Sequence, residues 1–299
     1  MVSDTPETTA APPEQRPAAG VSLVRLKQIP GKALKQGALV TLSILTIFPL
    51  YFMFVSAFKT RDEFIENLLG LPGSPTLQNF RAVLAHPNLL TWFLNSLVLT
   101  GGSVLITTAL SILAAFSFAR MRFRGRDLLF AITPPLMVIP PIVMIIPQFV
   151  MLNEFGLVNQ LAGPLLIYAG LMLPFTIYLL RNFFITIPRE IHEAALIDGA
   201  STWQILSRID LPLARPAVVT SMLVNVVWVW NELLIALVFL QRDELRTLVV
   251  GIATSLQKRF TLDVPALMAG LAVATIPMII LYAVGQRTLV RGLTAGFEK

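Results

Sequence analysis

Six stretches of this chain stay apolar for 18 residues or more, and that pattern constrains its fold more than any other feature. They run about Ala38–Phe58, Leu94–Ala119, Leu128–Leu152, Leu161–Leu180, Val218–Leu240 and Leu267–Val284. About 20 residues at 1.5 Å rise cross a hydrocarbon core of roughly 30 Å. Inside that core every backbone N–H and C=O needs a partner from its own segment, which selects helices. Hydrophobic residues make up 55% of the chain and charged residues 13%, a balance that leaves little for a water-facing surface. The expected fold is all-α and polytopic: six transmembrane helices over 37–286, a disordered tail over 1–36 and a short tail over 287–299. The first stretch is longer than a signal-peptide core and follows a Pro/Ala/Thr/Glu-rich lead, so it reads as a retained span.

Lysines and arginines set the orientation. If both termini are cytoplasmic, sixteen of the 23 fall on that side, four of them in one tight loop (Arg120, Arg122, Arg124, Arg126). The net charge of +6 then reflects topology, and with no basic face interleaved with aromatics, nucleic acid is not an expected partner. The same orientation puts the polar segment at about 187–215 in the cytoplasm.

Much chemistry is missing. There is no cysteine, and the two histidines, His86 and His192, fall in predicted loops. No metal-ligand spacing, nucleophile elbow or phosphate-cradling loop occurs, and no span offers a base beside a nucleophile. The chain is expected to catalyse nothing and to bind no metal or cofactor. Any ATP would be used on another chain.

The polar segment predicts two short helices. Pro188 suits a first turn, and Glu190 and Glu193 lie toward the positive end of the helix dipole. This helix should stop at Gly199, a residue suited to positive φ. Ser201 and Gln204 have capping-box spacing, so a second helix should start there and end before Leu211-Pro212. On the first helix Ile191, Ala194, Ala195 and Asp198 share a face. Such a pair could lie on the inner leaflet as an amphipathic hairpin, or it could meet a protein.

Glu193-Ala194-Ala195, then Gly199, then the closing Ile209-x-Leu211-Pro212 resemble the EAA loop of ATP-binding-cassette import permeases. Trp230–Ala236, Ala266–Gly270 and the stretch from Gln286 to Gly296 resemble the carbohydrate-uptake group, in particular the six-span permease of maltose-type importers. The resemblance covers most of the chain and implies a type I importer permease in a bacterial or archaeal cell membrane. It implies a second permease, two ATPase subunits that carry ATP and Mg, an extracytoplasmic solute-binding protein and a small sugar as partners. Glu193, Ala194, Ala195, Asp198, Gly199, Leu211 and Pro212 would form the coupling element, with Glu193 meeting the ATPase and Gly199 permitting the turn. The tail from Gly292 to Lys299 ends Phe-Glu-Lys where the family more often has Ala-Val-Lys-Gly, a departure in the tail contact. Another solute, such as a glycerol-phosphate ester or a peptide, is the alternative, and a stand-alone secondary transporter is a more distant one.

Polar groups inside spans point to a path. Ser221, Asn225, Trp228 and Glu232 have the spacing of one helical face, and hydrogen-bonding groups beside an indole suit a sugar or polyol. Asn and Ser also bridge helices, and Glu232 could pair with a basic residue near the outer interface. Five prolines, Pro134, Pro135, Pro140, Pro141 and Pro147, interrupt the third stretch, and broken helices often border transport paths. The first and third outer loops, Lys59–Phe93 and Gln241–Ala266, are large enough to meet a binding protein.

Overall fold

A computed structural model describes residues 24–294 apart from 256 and 259–260, with side chains placed over 34–286 outside 256–262. The expected disorder of the first residues and the departure at the last five lie outside the described residues. The chain divides into two compact units, Met1–Tyr51 and Phe52–Lys299.

The first unit carries most of α1 (Val24–Ala57), whose start lies inside the segment expected to be a tail. Every described side chain from Leu34 to Tyr51 is exposed, Leu39, Ile44 and Ile47 among them. A helix apolar all round and exposed over this length suits a hydrocarbon environment.

The second unit is built on α4 (Leu89–Arg120) and α8 (Ala162–Phe184), which pack along much of their length. Small and hydroxyl side chains form the seam. Ser103 Oγ donates to Leu165 O (3.1 Å), and Thr107 Oγ1 donates to Ser103 O (2.8 Å) with Ala169 O of α8 at 3.1 Å. Without a hydrophobic drive between helices in lipid, such close approach and hydrogen bonding hold the pair together. α12 (Arg215–Asn231) packs on both helices of this pair, and α15 (Val264–Thr294) packs on α12.

Between α4 and α8 the chain forms α5 (Arg126–Ala131), α6 (Thr133–Val138) and α7 (Pro141–Glu154). The prolines act where they stand. Pro134 and Pro135 open α6, Pro140 is extended (φ −64°, ψ 129°), and Pro141 starts α7. The segments Arg126–Val138 and Pro141–Glu154 meet at 104°. A second bend of 73° separates Thr202–Leu213 from Arg215–Asn231. Among the described residues, four helices are long and apolar enough to span a membrane, and up to six segments are if each bent pair is one span.

The segment 59–93, expected as the first outer loop, folds on itself through α2 (Arg61–Glu66) and α3 (Gln78–Leu84). Lys59 is fully buried there, its ammonium held by the carbonyls of Asn67 and Leu68. The segment expected as the third outer loop is not open throughout. It contains α14 (Leu248–Ser255), with Leu248, Val250 and Ile252 buried, followed by a two-residue β ladder, β1 (Gln257–Lys258) with β2 (Thr261–Leu262). Residues of α4 hold it down: Trp92 Nε1 donates to Asp243 O (2.7 Å), Asn95 donates to Glu244 O (2.9 Å), and Ser96 Oγ accepts from Leu248 N (2.8 Å).

Gly251 makes this contact possible, since a Cβ there would lie 2.2 Å from the Trp92 ring. Gly251→Ala is therefore expected to cost about 1–3 kcal/mol as an overpacked site. Gly101→Ala, where a Cβ meets nothing within 4 Å, should be close to neutral by comparison. Thermal unfolding of the two purified variants against wild type checks this, and equal midpoints would refute the contact.

Candidate functional site

The helix pair forms as its local signals require. α9 (Arg189–Ile197) ends on Asp198, and Gly199 follows at φ 80°. Gly199 N donates to Leu196 O (3.1 Å) and Ala200 N to Ala195 O (2.9 Å), the bond pattern of a Schellman cap. α10 (Thr202–Ile205) begins with the expected capping box, Ser201 N donating to Gln204 Oε1 (2.7 Å) and Gln204 N to Ser201 Oγ (3.3 Å).

The second helix does not end before Leu211-Pro212. It continues through a π turn (Leu206–Asp210) into α11 (Leu211–Leu213). Leu211 N donates to Leu206 O, five residues back, so the ladder is already displaced where Pro212 has no N–H to give.

The two halves of the pair differ in burial. Ile205 and Leu206 are buried against Phe116 of α4 and Leu180 and Phe184 of α8. No residue of α9 is buried. Glu193, Ala194, Asp198 and Gly199 are exposed, Ala195 and Leu211 are half-buried, and Pro212 is exposed. Ile197 is 85% and Trp203 66% exposed, and Glu193 has no ion-pair partner among the described residues. One element is anchored in the bundle, and the other offers an uncovered apolar and acidic face.

Asp210 joins the two halves, and sequence reasoning missed it. Its carboxylate is fully buried; it accepts from Arg120 Nε at the end of α4 (3.4 Å) and from His192 Nε2 on α9 (2.8 Å). A carboxylate only accepts, so Nε2 carries the proton of that bond. Arg120 also donates to Ile187 O (3.2 Å) at the entrance to α9.

The polar stripe of the fifth span is divided. Ser221 and Asn225 are buried: Ser221 Oγ donates to Val218 O (2.8 Å) and Asn225 to Thr176 Oγ1 of α8 (2.9 Å). Asn225 therefore bridges to α8, whereas Ser221 bonds a carbonyl of its own helix. Trp228 is 37% exposed and meets Tyr168 edge to face at 5.9 Å. Glu232 does not continue the helical face, because α12 ends at Asn231 and Glu232 is extended (φ −70°, ψ 126°). It accepts from Tyr168 OH (2.6 Å) and from the N–H groups of Ile235 (2.9 Å) and Ala236 (3.2 Å), which open α13 (Leu234–Phe239). Its partners are a phenol and backbone amides; no basic residue pairs with it among the described residues. Tyr168 is a second residue the sequence reading passed over, although a phenol in an apolar span needs a partner for its O–H.

A concavity of about 450 Å³ lies between the broken α6–α7 segment and α8, with Ile139, Met144, Gln148, Gly170 and Pro174 in its wall; Pro140 and Pro141, at the break itself, do not line it. Its one amide, Gln148, has a buried Oε1 without a protein partner. Nothing in this arrangement resembles a nucleophile and base. The described residues hold no cluster of three metal-ligating side chains.

Residues 108–295, well over half of the chain, match the family model described as "Binding-protein-dependent transport system inner membrane component". The diacetylchitobiose uptake permease DasC of Streptomyces coelicolor is 34% identical over 268 residues, covering 87% of this chain and 94% of that protein. The trehalose/maltose transport permease MalG of Thermococcus litoralis is 31% identical over 262 residues, covering 87% and 94%. Among solved structures, a chain of a bacterial ABC transporter that imports the acidic polysaccharide alginate superposes with a TM-score of 0.76 at 24% identity, over 88% of this chain and 97% of that one. The fold, the broken spans and the exposed helix pair therefore have one account: the chain belongs to the binding-protein-dependent transport system inner membrane component family, as a permease of ATP-binding-cassette importers.

Proposed function

We propose that this permease carries a sugar or related polyol inward, alongside a second permease, two ATPase subunits that hold ATP and Mg, and an extracytoplasmic solute-binding protein. The observation that carries the reading is the helix pair, with α9 exposed and the end of α10 anchored through Ile205 and Leu206 against α4 and α8. α9 docks on an ATPase subunit on the cytoplasmic side, where both termini also lie. Closure of the ATPase pair then displaces α9, and the anchored α10 passes the movement to the spans. Such a lever works only on a bundle with two arrangements that both ATP and the loaded binding protein bias.

The sugar assignment draws support from relatives named for diacetylchitobiose and for trehalose and maltose, each over 30% identical. Trp228 with Glu232, the break at Pro140 and Pro141, and the concavity between the α6–α7 segment and α8 are the places where this chain meets the solute. The buried Asn225 serves the path by fixing α12 against α8. Glu232→Gln should keep the Tyr168 contact but weaken the anchoring of α13, lowering uptake severalfold. Unchanged uptake and substrate range would remove Glu232 from the path.

The deciding experiment tags the chain in its native membrane and identifies what co-purifies in mild detergent. An ATPase subunit and a second permease are expected, with ATP hydrolysis stimulated by a sugar only when the binding protein is added. A stable chain recovered alone under several detergents would sink the reading.

A further inference from the structure

Arginines crowd one side of the helix pair. A cavity of about 380 Å³ opens between the end of α4, the 121–126 turn and α9. Arg120, Arg122, Arg126 and Arg189 line it against a single lining carboxylate, Glu193. Arg120 is engaged by Asp210 and Arg126 by Asp127 (2.8 Å). Arg122 and Arg189 are exposed and have no ion-pair partner among the described residues. In the same wall His192 commits Nε2 to Asp210, while its Nδ1 is buried and without a partner. Guanidinium groups gathered on a concavity repel one another unless an anion sits among them, and their planar forks match phosphate oxygens in pairs.

Position within the fold selects the source of the phosphate. Arg120 is the last residue of the 32-residue α4, so the cavity lies where an apolar span reaches the headgroup level. Beside it Phe123 is 41%, Leu129 52% and Leu128 70% exposed. A free phosphate would use the guanidiniums and leave that apolar flank idle, whereas a phospholipid uses both. Basic pockets at the cytoplasmic ends of spans are suited to such headgroups.

We propose that this cavity binds the headgroup phosphate of an anionic phospholipid of the cytoplasmic leaflet through Arg122 and Arg189, with the acyl chains along α5. The inference rests on the orientation given under the proposed function, but not on the solute carried. Because Arg189 opens α9, a bound headgroup would link the helix pair to the leaflet.

The test uses the full chain in nanodiscs of phosphatidylcholine alone, phosphatidylcholine with phosphatidylglycerol, and phosphatidylcholine with inorganic phosphate added. Retained lipid is counted by native mass spectrometry after detergent release. Wild type should retain phosphatidylglycerol, and Arg122→Gln/Arg189→Gln should lose about tenfold of that retention, about 1.4 kcal/mol. Arg122→Gln alone should lose part of it, and Arg124→Gln, which removes the same single charge from the same turn outside the cavity wall, should not. Equal loss in Arg124→Gln would reduce the effect to diffuse charge and overturn the site. Full competition by inorganic phosphate would make it a free-anion site and overturn the lipid assignment. Photoactivatable phosphatidylglycerol on wild type covers the case of a poorly folded variant, with adducts expected on 120–129 and 189–196. Adducts elsewhere, or none once the ATPase subunits are assembled on the permease, would also overturn it. Loss of sugar uptake as such would leave the lipid count unchanged, so the two readings fail separately.

Discussion

Sugar uptake by cells whose permease carries Gly199→Val is expected to fall to background, while Gly199→Asn keeps a substantial share of it. The reason lies in the backbone. Gly199 sits at φ 80°, and a Cβ placed there meets nothing within 4 Å, so the neighbourhood has room for a side chain. A β-branched residue nevertheless resists that φ, at a cost of about 1–3 kcal/mol, whereas asparagine visits the left-handed region more readily. Valine would relieve the strain by moving φ negative, which breaks the Gly199 to Leu196 and Ala200 to Ala195 bonds and lets α9 swing away from α10. The spans do not depend on this turn, since Ile205 and Leu206 keep their own burial against α4 and α8. Radiolabelled uptake, paired with quantification of the protein in the membrane fraction, should show normal amounts and no transport. Glu193→Lys should behave alike if the carboxylate meets the ATPase, because it reverses an exposed charge and touches no internal bond. Wild-type uptake by the valine variant would remove the helix pair from coupling.

What the sequence revealed of this structure follows from the range of the interactions involved. The caps at Gly199 and Ser201 are written within three or four residues, and both are found as their spacing implies. The breaks at Pro140 and Pro141 are likewise local, since a proline acts on its own turn. Glu232 was misread because apolar periodicity runs on through it, with no proline or glycine to mark the end of α12. The break depends instead on Tyr168, 64 residues away, and on the amides that the carboxylate caps. α14 was hidden for a different reason: eight residues are too few for a span, so only its packing on Trp92 identifies it as buried. Asp210 gave no signal at all, with partners 18 and 90 residues distant.

That hidden carboxylate carries the largest expected effect on stability. Asp210 is fully buried, and its two basic partners are 10% and 12% exposed in their side chains. Removing one member of a buried ion pair leaves the other charge uncompensated, at about 3–5 kcal/mol. Asp210→Asn should sit toward the low end, because Arg120 keeps Ile187 O and the amide oxygen can still accept from His192. Asp210→Ala should sit toward the high end. Since stability margins of whole domains are about 5–15 kcal/mol, the alanine variant should unfold at a clearly lower temperature. Arg120→Gln with Asp210→Asn should recover part of the loss, because the charge and its counter-charge leave together, with a coupling energy of about 0.5–3 kcal/mol. The functional readout is separate. The node ties the end of α4 to α9, so in Asp210→Asn the ATPase should still turn over while sugar and binding protein stimulate it weakly. Thermal unfolding of the assembled complex and stimulated ATP hydrolysis measure the two effects independently. A wild-type midpoint with full stimulation in Asp210→Asn would show that the helix pair is held by apolar packing alone, through Ile205 and Leu206, and that the buried carboxylate transmits nothing.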